Sequence, residues 1–345
     1  LSPQRSPYHD VEEPDIATKI KDVLGNPRVN VLTSAEIEMI SGQPGAFNVT
    51  IRQSADVTNI IVGSIVLATG WQPYDATKLE NLGFGKYQNI ITNVMMEEMA
   101  KNGKIVRPTD GKEVNSVAFI QCAGQRDEKH LAYCSSVCCL VSLKQAMYIR
   151  EQNPETNVYI FYKDIRTPGQ DEDFYKRVQE DERVFLTKGE VTSVTENGGE
   201  SLVIDVEHTL LGERIRIEAD MVVLATGMVS ATPESGCLHL DYRQGPELPK
   251  LKYGFPDSNF LCFPYETQRT AIYAAGCVRA PMDVTSSVED ATGAALKSIQ
   301  SLELISSGAA LHPRSGDLSY PEFALQRCTQ CKRCTEECPF GALDE

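Results

Sequence analysis

Long apolar runs are missing from this 345-residue chain. Nothing approaches the roughly 18 consecutive apolar residues that a spanning helix needs, so direct membrane insertion is not expected. No secretory signal is visible either. Positive charge is in deficit: 33 Lys and Arg stand against 48 Asp and Glu, a net charge of −15. Nucleic-acid phosphates are met by clustered cations, which excludes nucleic acid as the expected partner. A basic protein or a small metabolite fits that charge better. The five histidines are scattered, and no nucleophile–base pair for hydrolysis stands out. There is no low-complexity tract and no solenoid repeat. No G-x-G-x-x-G follows a strand near the N-terminus, so the glycine fingerprint for a pyrophosphate is absent there. Methionine is missing at position 1, where Leu1 opens a polar surface-like stretch. Both ends therefore read as cut, and the sequence as a fragment.

What is present is cysteine, eleven in all, in a chain of ordinary globular composition (41% hydrophobic, 23% charged) with room for two or three domains. Cys328, Cys331, Cys334 and Cys338 stand in the order C-x2-C-x2-C-x3-C, followed by Pro339. That is the bacterial ferredoxin run, in which the fourth cysteine serves the other cluster of a two-cluster module. The remaining ligands of that second cluster are expected beyond Glu345. Zinc would sooner use two separated C-x2-C pairs or histidines. Thiols grouped in ligand spacings, rather than spread as a disulfide framework, predict a reducing cytoplasmic compartment.

Along the chain, Ile16–Leu24 has helical spacing and stops at Gly25-Asn26-Pro27. Val29–Leu32 and Phe47–Arg52 read as strands, separated by a short segment at Ser34–Ile40. Two nearly unbroken apolar runs end alike, in Ala68-Thr69-Gly70 and in Ala225-Thr226-Gly227, and each predicts a buried parallel strand with a sharp turn. Loops with Pro73 and Pro233 follow them. Between the two lies a βαβ unit: strand Val117–Gln121, a turn at Cys122–Arg126, helix Ser135–Gln152 and strand Val158–Tyr162. An acidic helix at Asp171–Asp181 and strands at Val184–Thr187, Val191–Thr195 and Leu202–His208 come next. A last strand, Ala271–Gly276, precedes a helix from about Ser287 to Ile305. Cys122 ends a strand, in the crevice where α/β folds bind ligands. Cys134 and Cys138 share a helical face, with Cys139 adjacent. Four such thiols suit a second [4Fe–4S] cluster, with a buried cysteine pair, a redox disulfide or zinc as alternatives. Cys237, Cys262 and Cys277 lack ligand spacing and read as small buried hydrophobes.

The two Ala-Thr-Gly strands and Ala271–Gly276 resemble the glutathione-reductase-like flavoproteins with two dinucleotide-binding domains. That resemblance implies FAD, approached by Ala68, Thr69, Gly70, Thr226, Gly227 and Gly276, with Asp290 on the helix that follows. Cys277 stands where many members carry an acidic residue. The cysteine pattern C-x11-C-x3-C-C, continued by Leu140-Val141-Ser142-Leu143-Lys144-Gln145-Ala146, resembles the A-type subunits of heterodisulfide reductase. It is similar also to the FAD subunits of the quinone-interacting membrane-bound oxidoreductase (Qmo) complex, the B-type one in particular. The resemblance implies Cys122, Cys134, Cys138 and Cys139 as cluster ligands and Lys144 as a lysine tuning the flavin. The expected fold is thus an α/β two-dinucleotide-binding-domain flavoprotein fragment with a partial ferredoxin-type α+β module. Expected boundaries are 1–112 for the remainder of the FAD domain, 113–215 for the cysteine-bearing nucleotide-type domain, 216–310 for the return to the FAD domain and 318–345 for the ferredoxin module. The implied function is electron relay between FAD, an internal [4Fe–4S] cluster and a ferredoxin-type cluster. Implied partners are redox subunits of a heterodisulfide reductase-like or Qmo-like complex, with a membrane haem protein, adenylyl-sulfate reductase or hydrogenase among them. Any membrane association would be peripheral, through those partners. The alternatives are a pyridine-nucleotide-dependent disulfide or thiol oxidoreductase and a non-catalytic iron–sulfur scaffold.

Overall fold

The structure, a computed structural model, describes residues 15–198, 201–232, 236–241, 246–258, 261 and 263–309, with isolated positions 2–3, 11–12, 311, 329 and 336. Pro233, Cys262 and all four cysteines of the terminal run lie outside the described residues, as does nearly all of the expected ferredoxin module.

Helix α1 (Ile16–Gly25) is followed by strands β1 (Ala35–Gln43), β2 (Ala46–Gln53), β3 (Asp56–Val62) and β4 (Ile65–Leu67). Then come β5 (Ile90–Thr92), α2 (Asn93–Lys101), β6 (Ser116–Ala123), α3 (Cys138–Gln152), β7 (Asn157–Tyr162) and α4 (Asp171–Gln179). The long β8 (Val184–Asn197), β9 (Ser201–His208), β10 (Glu213–Ala219), β11 (Met221–Thr226), β12 (Leu238–Leu240), β13 (Ile272–Ala274) and α5 (Val284–Ser306) complete the order. The described residues divide into two compact units, one drawn from the ranges 1–29 and 72–229 and the other from 30–71 and 230–345.

The first unit is built on a seven-stranded sheet in the order β10-β9-β8-β7-β6-β11-β5. Its centre is parallel, with β6 flanked by β7 and β11. Every residue of β11 is buried, as a central parallel strand covered on both faces requires. On one face Val117, Phe119, Ile160 and Val223 meet Met96, Leu143, Ile149 and Phe174 from the helices. Each large side chain fully buried in this way contributes about 1.5–3 kcal/mol. The other face packs Leu79, Leu82, Ile120 and Leu224 with Leu202, Ile204 and Val206. These last three alternate along β9 with outward residues, the period-2 pattern of a half-buried antiparallel strand. β8 pairs in parallel with β7 at its start and antiparallel with β9 after Gly189, with an irregularity between Val191 and Ser193. Two strands expected at Val184–Thr187 and Val191–Thr195 are therefore one.

The second unit has a four-stranded sheet, β12-β1-β2-β3, and a parallel pair of β4 with β13. Ile40, Phe47, Val49, Leu238 and Ile272 form its core. The apolar run ending at Leu67 predicts a buried strand; β4 is only half-buried because, among the described residues, it pairs with β13 alone. Residues 29–32, expected as a strand, form none: no described strand pairs with them, and the ladder starts at Ala35. Residues 72–112 and 216–229 pack with the cysteine-bearing unit because β5 and β11 are parallel partners within its sheet.

Candidate functional site

In the first unit, the chain leaves β6 through a left-handed residue, Cys122, with φ +56°. Non-glycine residues seldom adopt that conformation, and it costs of order 1 kcal/mol. It turns the chain into a loop, residues 124–137, that delivers Cys134 and then enters α3 at Cys138 and Cys139. Cys138 and Cys139 are buried, Cys122 and Cys134 half-buried, and all four are free. The sulfurs lie close enough that the charge state of Cys138 is coupled to Cys122, Cys139 and Cys134. Burial pushes the Cys138 thiol up to about 12, against a hydrogen bond from Gln125 that lowers it. Burial also raises Cys122, offset in part by the neighbouring Arg126 guanidinium, and it raises Cys139. Among the described residues, no three Cys, His, Asp or Glu side chains already close into a metal-holding group. The donor set itself fits a four-thiolate iron–sulfur cluster in its chemistry: four unbridged thiols, with the Arg126 guanidinium beside Cys122. Arg126 is fixed there by Asp164, which accepts from its Nη2 at 2.7 Å and from Lys188 Nζ at 3.2 Å.

The loop is closed by side chains that no motif announced. Gln125 bridges to Ala225 and Ser135. Tyr133 donates its hydroxyl to the Met228 carbonyl at 2.7 Å. His130 pairs with Tyr74 through Nδ1 and the phenol oxygen at 2.8 Å. Thr226 and Gly227, grouped by sequence with the flavin strands, stand in this unit against the cysteine loop. Thr226 Oγ1 hydrogen-bonds Asn93 Oδ1 at 2.9 Å, and a Cβ on Gly227 would meet Gln125 and Ser135 at 2.5–2.7 Å. A narrow cleft of about 80 Å³ runs beside Cys122, lined also by Gln121, Lys163 and Glu190. Lys144 lies on α3 with its Nζ 2.9 Å from Glu97 Oε1 and its side chain 9% exposed. The family resemblance implies a place near a flavin; within its own unit it is a buried ion-pair partner.

The second unit holds Ala68, Thr69, Gly70, Gly276, Cys277 and Asp290. β4 and β13 run in parallel register, Leu67 opposite Ala274, so Ala68–Gly70 and Ala275–Gly276 leave at the same carboxyl edge. Ala68 and Thr69 are exposed. Gly70 (φ +75°) and Gly276 (φ +73°) both have left-handed backbones, and an added Cβ would meet nothing closer than 3.8 Å. Gly70 and Gly276 each lie just beyond the carboxyl end of one of these paired parallel strands and leave that edge open, and such edges are where α/β folds take ligands. FAD fits that edge as a backbone-approached group. Asp290 is not turned to it as a free donor set. Its carboxylate accepts the Gly276 N–H at 2.7 Å and Arg279 Nε at 2.8 Å, with Nη2 also bonded. Cys277 Sγ reaches the Met282 carbonyl at 3.4 Å. The N-terminus of α5 is capped by Asp283, which accepts from Ser286 N at 2.6 Å.

Residues 320–343 match the family model of a 4Fe-4S binding domain. Over 303 residues the chain is 35% identical to the A-type subunit of H(2):CoB-CoM heterodisulfide,ferredoxin reductase from Methanothermobacter thermautotrophicus, covering 84% of this chain and 44% of that protein. It is 33% identical over 307 residues to the first of two A-type iron-sulfur subunits of CoB--CoM heterodisulfide reductase from Methanopyrus kandleri, covering 85% of this chain and 44% of that one. The chain thus spans less than half the length of these relatives. Among solved structures, T. acidophilum thioredoxin reductase aligns with a TM-score of 0.52 at 16% identity, over 85% of this chain and 80% of that one. That likeness shows the two-dinucleotide-binding flavoprotein fold.

Proposed function

Over the roughly 85% of its length that it shares with them, the chain belongs to the family of heterodisulfide reductase A-type subunits, and from that premise we propose that it is the flavin and iron–sulfur electron-transfer part of an oxidoreductase complex. The observation that carries this reading is the placement of Cys122 at the carboxyl edge of β6, Cys134 in the loop that follows and Cys138 and Cys139 at the start of α3, with Cys122, Cys134 and Cys139 near enough to influence the Cys138 thiol. A nucleotide-binding unit would use that edge for a glycine fingerprint. Here thiolate donors take its place, which disfavours a pyridine-nucleotide-dependent oxidoreductase.

Bound FAD would supply two-electron chemistry and [4Fe–4S] clusters one-electron chemistry. The chain's own residues would do the rest. Gly70 and Gly276 would admit the flavin to the backbone, and Asp290 would hold the Gly276 turn in shape. Cys122, Cys134, Cys138 and Cys139 would hold the internal cluster, with Arg126 offsetting its negative charge. Cys328, Cys331 and Cys334 would hold a ferredoxin-type cluster, and Cys338 would serve a second. No helix among the described residues is long and apolar enough to cross a membrane. A cytoplasmic location, with other redox subunits as partners and any membrane contact made through them, is the reading that goes with this.

The test is made on the full-length natural polypeptide, purified without oxygen. Flavin absorption and released FAD are expected together with iron and acid-labile sulfide for more than one cluster. Iron without flavin would instead establish the non-catalytic scaffold.

A further inference from the structure

Gln125 lies in the turn after β6 and is 2% exposed. An amide buried that deeply is costly unless each end is bonded. Its Oε1 accepts the Ser135 backbone N–H at 3.1 Å, and its Nε2 donates to the Ala225 carbonyl at 3.0 Å. One partner is an obligate donor and the other an obligate acceptor, so the amide has only one consistent orientation. That orientation leaves the second N–H of Nε2 for Cys138, whose Sγ lies 3.4 Å away. As a thiol, Cys138 also reaches Oε1 at 3.7 Å. A sulfur bound to iron carries no proton and can only accept. Ser135 is held in turn, its Oγ accepting the Met228 N–H at 2.9 Å. The space for the amide exists because residue 227 is glycine.

We infer that Gln125 is a positioning residue of the internal cluster: its amide pins the cysteine loop to β11 and donates an N–H···S hydrogen bond to the Cys138 ligand, raising the cluster's reduction potential. The inference rests on the reading of Cys122, Cys134, Cys138 and Cys139 as ligands. Reduction adds negative charge to a cluster and its sulfurs, and a donor aimed at a sulfur stabilises that charge. Outer partners of this kind set ligand orientation and potential without touching the metal.

The experiment uses the full-length, iron-loaded protein with Gln125→Met, which keeps the length and loses all three amide hydrogen bonds, and Gln125→Glu, which keeps the acceptor and loses the N–H donor. Iron and sulfide are counted, and the internal cluster is titrated by redox-poised electron paramagnetic resonance. Its signal is identified as the one lost in Cys138→Ala. The expected result is wild-type iron with a more negative midpoint in both variants. A wild-type midpoint in an iron-replete variant overturns the inference, and so does loss of the cluster from both, which would make the amide purely structural. If Cys138→Ala keeps all its iron, the ligand reading itself fails, a separate and distinguishable outcome.

Discussion

Lys144 Nζ stands 2.9 Å from Glu97 Oε1, joining α3 to α2. The same carboxylate oxygen accepts from Gln145 Nε2 at 3.0 Å, and Gln145 also donates to the Asn93 carbonyl at 2.8 Å. Glu97 thus gathers two successive side chains of a helix that begins with two of the candidate ligands. The lysine side chain is 9% exposed and the glutamate 34%. Breaking a fully buried pair costs roughly 3–5 kcal/mol, and the solvent access of Glu97 reduces that. Glu97→Gln is expected to cost about 1–3 kcal/mol in denaturant unfolding. Adding Lys144→Met should recover part of the loss, since the buried charge goes with it. A double variant no more stable than the single one would argue against the ion pair as the source.

Cys122→Ala and Cys139→Ala are each expected to lower iron and sulfide by one cluster's worth. Cys237→Ala should leave both unchanged, because Cys237 packs beside the core of the second unit and has no other cysteine near it in sequence. Full iron in the first two variants would refute the internal cluster.

Much of the first unit was legible because its parallel strands are apolar runs; helix α3 is buried without a break from Ser142 to Ile149, so no single apolar face marks it. The pairing of those runs was not. Ala68-Thr69-Gly70 and Ala225-Thr226-Gly227 look the same locally, yet β4 pairs with β13 while β11 lies between β6 and β5. Nothing within a short apolar run encodes which neighbour a strand takes, so sequence groups Thr226 and Gly227 with strands that are not their sheet partners. β10 was not legible although Arg214, Ile215, Arg216 and Ile217 alternate; its partly exposed position leaves it few apolar residues. At the site, ligand types and spacing were visible. Gln125, Ser135 and Asn93 were not, since a polar residue in a loop or at the start of a helix reads as solvated until tertiary contacts bury it.

Gly227→Ala tests that burial directly. Gly227 is not among the left-handed glycines, so alanine brings no backbone strain there, only volume. Its methyl group would stand 2.5–2.7 Å from Gln125 and the Ser135 hydroxyl. Overpacking of this kind costs about 1–3 kcal/mol. A lower melting temperature is expected, with faster iron loss on exposure to chelator. Wild-type values for both would show that the loop tolerates the extra carbon.

Asp205 on β9 gives a pH signature. A hydrogen bond from Arg216 Nε at 2.9 Å is the main cause holding its carboxyl below the usual carboxylate range. A folded-state pKa below the unfolded one contributes stability that is complete above the unfolded value, near 3.9, and is lost as pH falls through the folded value. Asp205→Asn is therefore expected to be less stable than wild type at pH 7, by no more than about 1 kcal/mol for so exposed a pair. The difference should shrink on acidification from about pH 4 downward. A constant difference across that range would assign the effect to packing rather than charge.

Asp290 separates a structural carboxylate from a cofactor-binding one. It is 5% exposed and is already engaged by the Gly276 N–H and by Arg279. Asparagine keeps one acceptor oxygen for the glycine and loses the charge facing the guanidinium. Alanine loses both and leaves a buried N–H and a half-buried cation behind. Hydrogen bonds to charged groups contribute roughly 1.5–3 kcal/mol, and orphaned buried partners add to the cost. Asp290→Ala is therefore expected to destabilise flavin-free protein by about 2–4 kcal/mol, and Asp290→Asn by about half as much. Both are measured by unfolding before any flavin is added. A carboxylate serving only the cofactor would leave flavin-free stability unchanged and lower flavin affinity alone. The geometry at Gly276 predicts the reverse order: stability falls first, and any loss of flavin follows from a left-handed turn no longer held in place.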